Sequence, residues 1–588
     1  MSPSLSKLYL GANQFTGTIP STISNATQLI ELDLGLNMFS GHIPLMVANL
    51  HQLEYFSIEY NQITNDPSAH ELSLLTSLSK CKNLRQIVLN GNPFNTFLPS
   101  LLDLGNKSLP LEYLYASECH LKGSIPSGIS NFSNLVSLEL NDNKLSGSFP
   151  ETLGHLLRSF PYSFLHCLWC FQFSLVLCDF EQYLANSNAF NHSGQSLDLS
   201  SNNLTGKIPA TMYNVSSLQF VDLRNNHLSG TLPEGICDNY FRQLQGLYLS
   251  ANRLSGEIPS SLPKCMDLRF LNLGYNEFHG SIPPEIGNFS KLEWLMLYGN
   301  NLTGDLPWTI FNISSLVKLN IRTNEISGIL PNDLCYQIPE LEYLDISENQ
   351  IHGEIPQVLS NCRRLQVLSM SNNQLSGRFP TQICNISSLQ ELYFIGMNLT
   401  GLRHWISPSL KGLLLAGNRF SGTIPSTISN ASQLIMLDLG NNMFSGHVPL
   451  VVENLHQLQF FAIEYNHITN DPSANELSLL TSLSKCKNLK MVILEGNPFN
   501  TVLPDSLDAG NMSSSLKYLY AADCHFKGSI PSGISNFSNL ISLDLAKNNL
   551  SGSLPRTLGH LLRKLITKQK LLQSAGVEIS VSKALSPS

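Results

Sequence analysis

The chain repeats itself every 24 residues. Residues 5–28 read LSKLYLGANQFTGTIPSTISNATQ, and residues 29–52 read LIELDLGLNMFSGHIPLMVANLHQ. Units of this form open again at Leu111, Leu135, Leu218, Leu244, Leu268, Leu292, Leu316, Leu341, Leu365, Leu389, Leu410, Leu434, Leu516 and Leu540, roughly twenty units in all. One unit cannot bury its apolar face alone, so neighbouring units must stack and share one core. Leu-x-x-Leu-x-Leu puts alternating apolar residues on one face of a short strand. An asparagine follows at a fixed offset, as at Asn13, Asn252, Asn276, Asn300 and Asn373, where its amide can satisfy backbone groups left over as the strand turns. A Gly-x-Ile-Pro step then bends the chain and blocks a helix, as in Gly17–Pro20, Gly280–Pro283 and Gly353–Pro356.

The phrase Asn252-Arg-Leu-Ser-Gly-Glu-Ile-Pro259 resembles the plant-specific class of leucine-rich repeats, which makes up the ectodomains of receptor-like kinases and receptor-like proteins. The resemblance covers about Leu5–Arg158 and Gly194–Arg563. It implies an α/β repeat solenoid: a leucine-rich-repeat horseshoe with short parallel strands on the concave face and irregular or 3-10 turns on the convex side. It also implies a peptide or protein ligand, a co-receptor kinase as partner, and a place on the extracellular face of the plasma membrane in signalling or defence. The chain holds no kinase catalytic loop and no Asp-Phe-Gly.

A longer repeat overlies the short one. Ser2-Pro-Ser-Leu recurs at Ser407, Asn65-Asp-Pro at Asn470, and Leu153–Arg158 at Leu558–Arg563. The expected organisation is therefore a first copy at 1–158, an apolar non-repeat insertion at 159–193, and central repeats at 194–409. A second copy follows at 410–563, then an unpatterned tail at 564–588. Both copies break off after Leu-Leu-Arg into unrelated sequence, the pattern of a reading that crosses a splice boundary. Phe160–Cys178 has the length of a membrane span and no charge before Asp179. Pro161, His166 and Gln172 interrupt it and repeats resume beyond it, so an insertion is the expectation and membrane association stays open. The opening Met1-Ser-Pro-Ser-Leu-Ser-Lys has neither the apolar region nor the cleavage site of a secretory signal. The paired cap cysteines usual in the resembled family are not found.

Most of the 12 cysteines fall on repeat positions. Cys81, Cys265, Cys362 and Cys486 sit three residues before a unit's first Leu; Cys237, Cys335 and Cys384 follow an apolar residue of the convex turn; Cys119 and Cys524 replace the asparagine. All nine read as small buried hydrophobes, and Cys167-x-x-Cys170 lacks a second pair at metal spacing. The sequons Asn25, Asn106, Asn131, Asn203, Asn214, Asn288, Asn301, Asn312, Asn385, Asn398, Asn430, Asn511, Asn536 and Asn549 are glycosylation candidates and point outside the cell.

A net charge of −8 with 13% charged residues and no Lys/Arg cluster argues against nucleic acid. No nucleophile–base pair, phosphate loop or ligand cluster is assembled, so no enzyme activity, catalytic residue, metal or cofactor is expected. What remains is the face opposite the leucines. Its middle positions carry Phe220, Asp222, Arg224, Tyr248, Phe270, Tyr275, Trp294, Tyr298, Lys318, Arg322, Tyr343, Asp345, Glu348 and Tyr393, with Tyr55, Glu59, Phe460 and Glu464 in the terminal copies. Aromatics interspersed with Arg and Asp have the composition of a recognition surface, densest from Trp294 to Asp345. Two alternatives are a soluble repeat protein that inhibits a secreted enzyme, and a non-functional product of a truncated or misread gene.

Overall fold

Among the described residues the units make the strand their leucines prescribe, followed by a left-handed turn that in most of them an asparagine holds. The computed structural model describes residues 5–100, 110–155, 195–213, 217–237, 241, 243–402, 407–505 and 515–555. The chain divides into two units, Met1–Thr303 and Gly304–Ser588. Among the described residues the first contains eleven short parallel strands and the second ten, and within each unit the strand of one repeat pairs with that of the next. In the first unit Phe220, Val221 and Asp222 lie opposite Gly246, Leu247 and Tyr248, which lie opposite Phe270, Leu271 and Asn272. The leucines fall on one side, where Leu247, Leu271 and Leu295 are buried; the intervening residues form the opposite face.

Directly before each asparagine the chain enters the left-handed region, at Ala251 (φ 55°), Tyr275 (φ 48°) and Asn372 (φ 54°) among others. That conformation costs a non-glycine residue about 1–2 kcal/mol, and the buried amide offsets it. Asn252 Nδ2 donates to the carbonyls of Leu249 (3.0 Å), Ser250 (3.3 Å) and, in the preceding repeat, Leu223 (2.9 Å). Its Oδ1 accepts the Leu228 N–H at 2.9 Å. The same set recurs at Asn226, Asn276, Asn349 and Asn442. Beyond it a second strand, such as Arg253–Gly256, leads into the Gly-x-Ile-Pro bend. Gly256 is required there: its φ is 88°, and a Cβ would come within 2.8 Å of Thr231 Cγ2. A 3-10 turn such as Pro284–Asn288 closes the repeat.

Strand Ser137–Glu139 pairs with Gln195–Asp198, Ser137 opposite Ser196, and Asn202 Oδ1 accepts the Leu145 N–H at 2.9 Å. The repeats flanking 159–193 are thus sheet neighbours. The candidate span at 160–178 lies outside the described residues, but a single crossing there would part strands that pair in the sheet. Among the described residues no helix is long and apolar enough to cross a membrane.

The cysteine reading needs correcting at four positions. Cys237 bonds Cys265 and Cys335 bonds Cys362, with Cα atoms 5.1 Å apart in each pair, inside the usual disulfide range. The residue after the convex apolar position of one repeat lies beside the residue at the end of the following repeat, three before the Leu that opens the repeat after that, so a bond forms wherever both are cysteine. Cys384 has Ser407 at the second of these positions. Cys81, Cys119, Cys384, Cys486 and Cys524 are buried thiols, as expected, and burial pushes Cys119 and Cys524 up to about 12.

Candidate ligand-recognition face

In the first unit, two in-register columns run across the face opposite the leucines. One carries Ser196, Phe220, Gly246, Phe270 and Trp294; the other carries Glu139, Asp198, Asp222, Tyr248, Asn272 and Met296. Gly246 leaves a gap that its neighbours fill: a Cβ there would stand 2.7 Å from Phe220 Cδ1 and 2.8 Å from Tyr248 Cε2. Phe220, Tyr248 and Phe270 close into a cluster against which Trp294 packs. Phe270 meets Trp294 edge-on at 5.1 Å and lies stacked with Tyr248 at 6.4 Å. Tyr275 and Tyr298 meet edge-on at 5.1 Å.

These contacts divide the expected site residues. Phe220, Tyr248 and Phe270 are buried against one another and form a wall, and Tyr298 is buried with its ring edge-on to Tyr275. Trp294 is half-buried and Tyr275 is 42% exposed, so these two aromatics present open surface. Asp222 is buried and paired with Arg224, whose Nη2 stands 2.6 Å from Asp222 Oδ2; the guanidinium also lies over the Tyr248 ring at 5.3 Å. Burial opposes the charge on Arg224, but Asp222 outweighs it and the net shift is upward.

The sequence reading did not single out the row to which Asp222 belongs. Glu139, Asp198 and Asp222 are consecutive in one column. Burial pushes Glu139 up to about 7. Burial, then the Asp222 charge, holds Asp198 well above the usual carboxylate range, against hydrogen bonds from Ser200.

In the second unit Lys318 lies opposite Tyr343 and Asn320 opposite Asp345. Tyr343 is buried and its hydroxyl donates to Asp345 Oδ2 at 3.2 Å. Asp345, buried too, accepts the Ser347 N–H at 3.0 Å. Lys318 and Arg322 are half-buried, and burial lowers the Lys318 pKa. Glu348 accepts the Thr323 hydroxyl at 2.8 Å. Tyr393 is half-buried, as are Tyr55 and Glu59 in the first copy and Phe460 and Glu464 in the second. Burial and Asp438 push Glu464 up to about 7. Among the described residues no cluster of His, Cys, Asp and Glu could hold a metal ion.

A family profile described as a leucine-rich repeat region matches residues 240–473. The profile of the single Leucine Rich Repeat matches residues 4–26, 110–132, 134–156, 194–215, 217–239, 515–537 and 539–561. The chain belongs to the leucine-rich-repeat proteins. Receptor-like protein 32 of Arabidopsis thaliana is 30% identical over 211 residues, 33% of this chain and 21% of that protein; the chain thus spans about a fifth of the length of that curated relative. Among solved structures, the plant peptide hormone receptor RGFR1 in complex with RGF2 matches with a TM-score of 0.73 and 26% identity, over 96% of this chain and 89% of that one. The Arabidopsis receptor kinase HAESA, in complex with the peptide hormone IDA and the co-receptor SERK1, matches at 0.65 and 25% identity, over 94% and 84%. Within the family, then, this is a leucine-rich-repeat region of the plant receptor-ectodomain type.

Proposed function

We propose that the chain recognises a peptide on the face opposite its leucines, as the extracellular ligand-binding region of a plant cell-surface receptor. The observation that carries the reading is the aromatic wall of the first unit, where a buried base of Phe220, Tyr248 and Phe270 holds Trp294 in place, with the exposed ring of Tyr275 set edge-on against Tyr298 on the same face. Rigid aromatic anchors with Arg and Asp between them suit a peptide, because they offer large contact area at low entropic cost and fix its polar groups. In the second unit Lys318, Arg322, Tyr343 and Asp345 offer a more polar stretch of the same kind.

Of the solved relatives, RGFR1 is in complex with RGF2, and HAESA with the peptide hormone IDA and the co-receptor SERK1; a co-receptor kinase that reads the loaded face is proposed here by that analogy. An oxidising, extracellular setting agrees with the two disulfides. It agrees also with the sequons: all eleven described ones (Asn25, Asn131, Asn203, Asn288, Asn301, Asn312, Asn385, Asn398, Asn430, Asn536 and Asn549) have exposed asparagines, where a glycan can attach. Asn106, Asn214 and Asn511 lie outside the described residues.

The test is calorimetric titration of the secreted chain with a panel of synthetic plant peptide hormones. Trp294→Ala or Arg322→Ala should weaken the binding peptide by roughly 30-fold, the scale of an interface anchor, with the circular dichroism unchanged. No binder in the panel, or one indifferent to both substitutions, would overturn the reading.

A further inference from the structure

The two near-copies share a fold but differ at one place in a way that exposes a site. In both, a short helix of the long irregular repeat, Ser73–Leu78 and Ser478–Leu483, lies beside a 3-10 turn, Leu45–Asn49 and Leu450–Asn454. The backbones match closely. Cys81 Sγ lies 3.7 Å from the Val47 carbonyl and Cys486 Sγ 3.6 Å from that of Val452. The Lys80 N–H reaches the Ser77 carbonyl at 3.2 Å, and the Lys485 N–H reaches that of Ser482 at 3.2 Å.

In the second copy Glu453, on the 3-10 turn, extends its carboxylate to the Lys485 ammonium. In the first copy the matching residue is Ala48, and among the described residues no carboxylate comes within ion-pair distance of Lys80. An open hollow of about 440 Å³ lies beside Lys80, lined by Leu45, Ala69, His70, Glu71, Ser77 and Lys80 among others. Its apolar part is Leu45, 49% exposed, with Ala69, and its polar rim is Lys80 and the His70 ring, which can donate a hydrogen bond. The one acidic group on the rim, Glu71, accepts the Ser100 hydroxyl at 2.7 Å.

We infer that this hollow takes up a carboxylate on a short aliphatic stem, supplied from outside the chain and seated against Lys80 as Glu453 is seated against Lys485. The site is separate from the face opposite the leucines and does not depend on its function. One exposed ion pair contributes little, so with a small apolar contact the binding is weak, on the order of millimolar or above. The carboxylate can belong to a free small acid or to an acidic side chain of a partner protein, and the two sources separate by experiment.

The test is saturation-transfer NMR on the full chain with two probes, glutarate and the capped tripeptide acetyl-Gly-Glu-Gly-amide. Wild type is expected to show transfer to at least one probe, from the methylenes next to the carboxylate. Ala48→Glu supplies the internal carboxylate of the second copy and should abolish that signal. Glu453→Ala with Asn475→His reproduces the first copy's surroundings in the second and should add a second site, readable even if Ala48→Glu fails to fold. Transfer to glutarate alone assigns a free acid; transfer to the tripeptide assigns a protein side chain. Absence of transfer in wild type, transfer that survives Ala48→Glu, or no added site in the double variant would each overturn the inference.

Discussion

Replacing Asn252 by alanine tests the account of the fold at its most repeated element. The asparagine is 9% exposed, and its amide is the hydrogen-bond partner of the Leu228 N–H and of the Leu223 and Leu249 carbonyls. Alanine strands the Leu228 N–H, at about 1–3 kcal/mol for a buried group left unmet, while the Leu223 and Leu249 carbonyls keep the amides of Asn226 and Asn276. A water entering the vacated space recovers part and the two weakened carbonyls add a smaller cost, so the expected loss is about 2–3 kcal/mol. Cysteine should cost nearly as much as alanine, because at the equivalent position the Cys119 thiol donates to the Leu89 and Ser117 carbonyls at 3.4 and 3.3 Å but offers no comparable acceptor for the N–H. Asn301→Ala, at an exposed asparagine next in sequence to the buried Asn300, should fall within about 0.5 kcal/mol of wild type. Repeat arrays need not unfold in one step, so urea unfolding is to be paired with native-state hydrogen exchange on peptides spanning 244–276. A loss under about 1 kcal/mol for Asn252→Ala, or one equal to that of Asn301→Ala, would refute the reasoning.

Three further outcomes follow. Peptide mapping without reduction should recover the Cys237–Cys265 and Cys335–Cys362 links. Removing the first, which closes a 28-residue separation, should cost about 3–4 kcal/mol on the chain-entropy account. Glu139 and Glu464 are both pushed up to about 7 when folded, against about 4.3 unfolded. Between those values the unfolded chain has released protons that the folded chain keeps, so stability falls as pH rises, by up to about 3 kcal/mol per group, and levels off above 7. Glu139→Gln should flatten that slope in thermal melts between pH 4.5 and 7; an unchanged slope would contradict the burial assigned to it.

The strand positions, the left-over leucine core and the asparagine role were legible because each rests on local periodicity: Leu247, Leu271 and Leu295 are buried where the 24-residue spacing puts them. The disulfides were not legible from position alone. Cys237 and Cys265 occupy ordinary repeat sites, and only the stacking of one repeat on the next brings a turn residue beside the residue three before a leucine. The acidic row was hidden by the insertion, since Ser137 and Ser196 are paired but 59 residues apart, so that Glu139 and Asp198 do not align by counting in 24s. The face opposite the leucines was legible as a list of residues but not as a surface. Alternation says which side Phe220, Tyr248 and Tyr298 occupy; only the gap at Gly246 and the packing of rings across repeats bury them while leaving Tyr275 and Trp294 accessible.

The most direct test of the central claim is hydroxyl-radical footprinting of the chain with and without the peptide that binds it best. Oxidation of Tyr275 and Trp294 should drop in the complex, while Met266, 73% exposed and outside the face in question, should react as before. Unchanged oxidation of Tyr275 and Trp294 at saturating peptide, or protection centred on Met266, would place recognition elsewhere on the molecule and contradict the account.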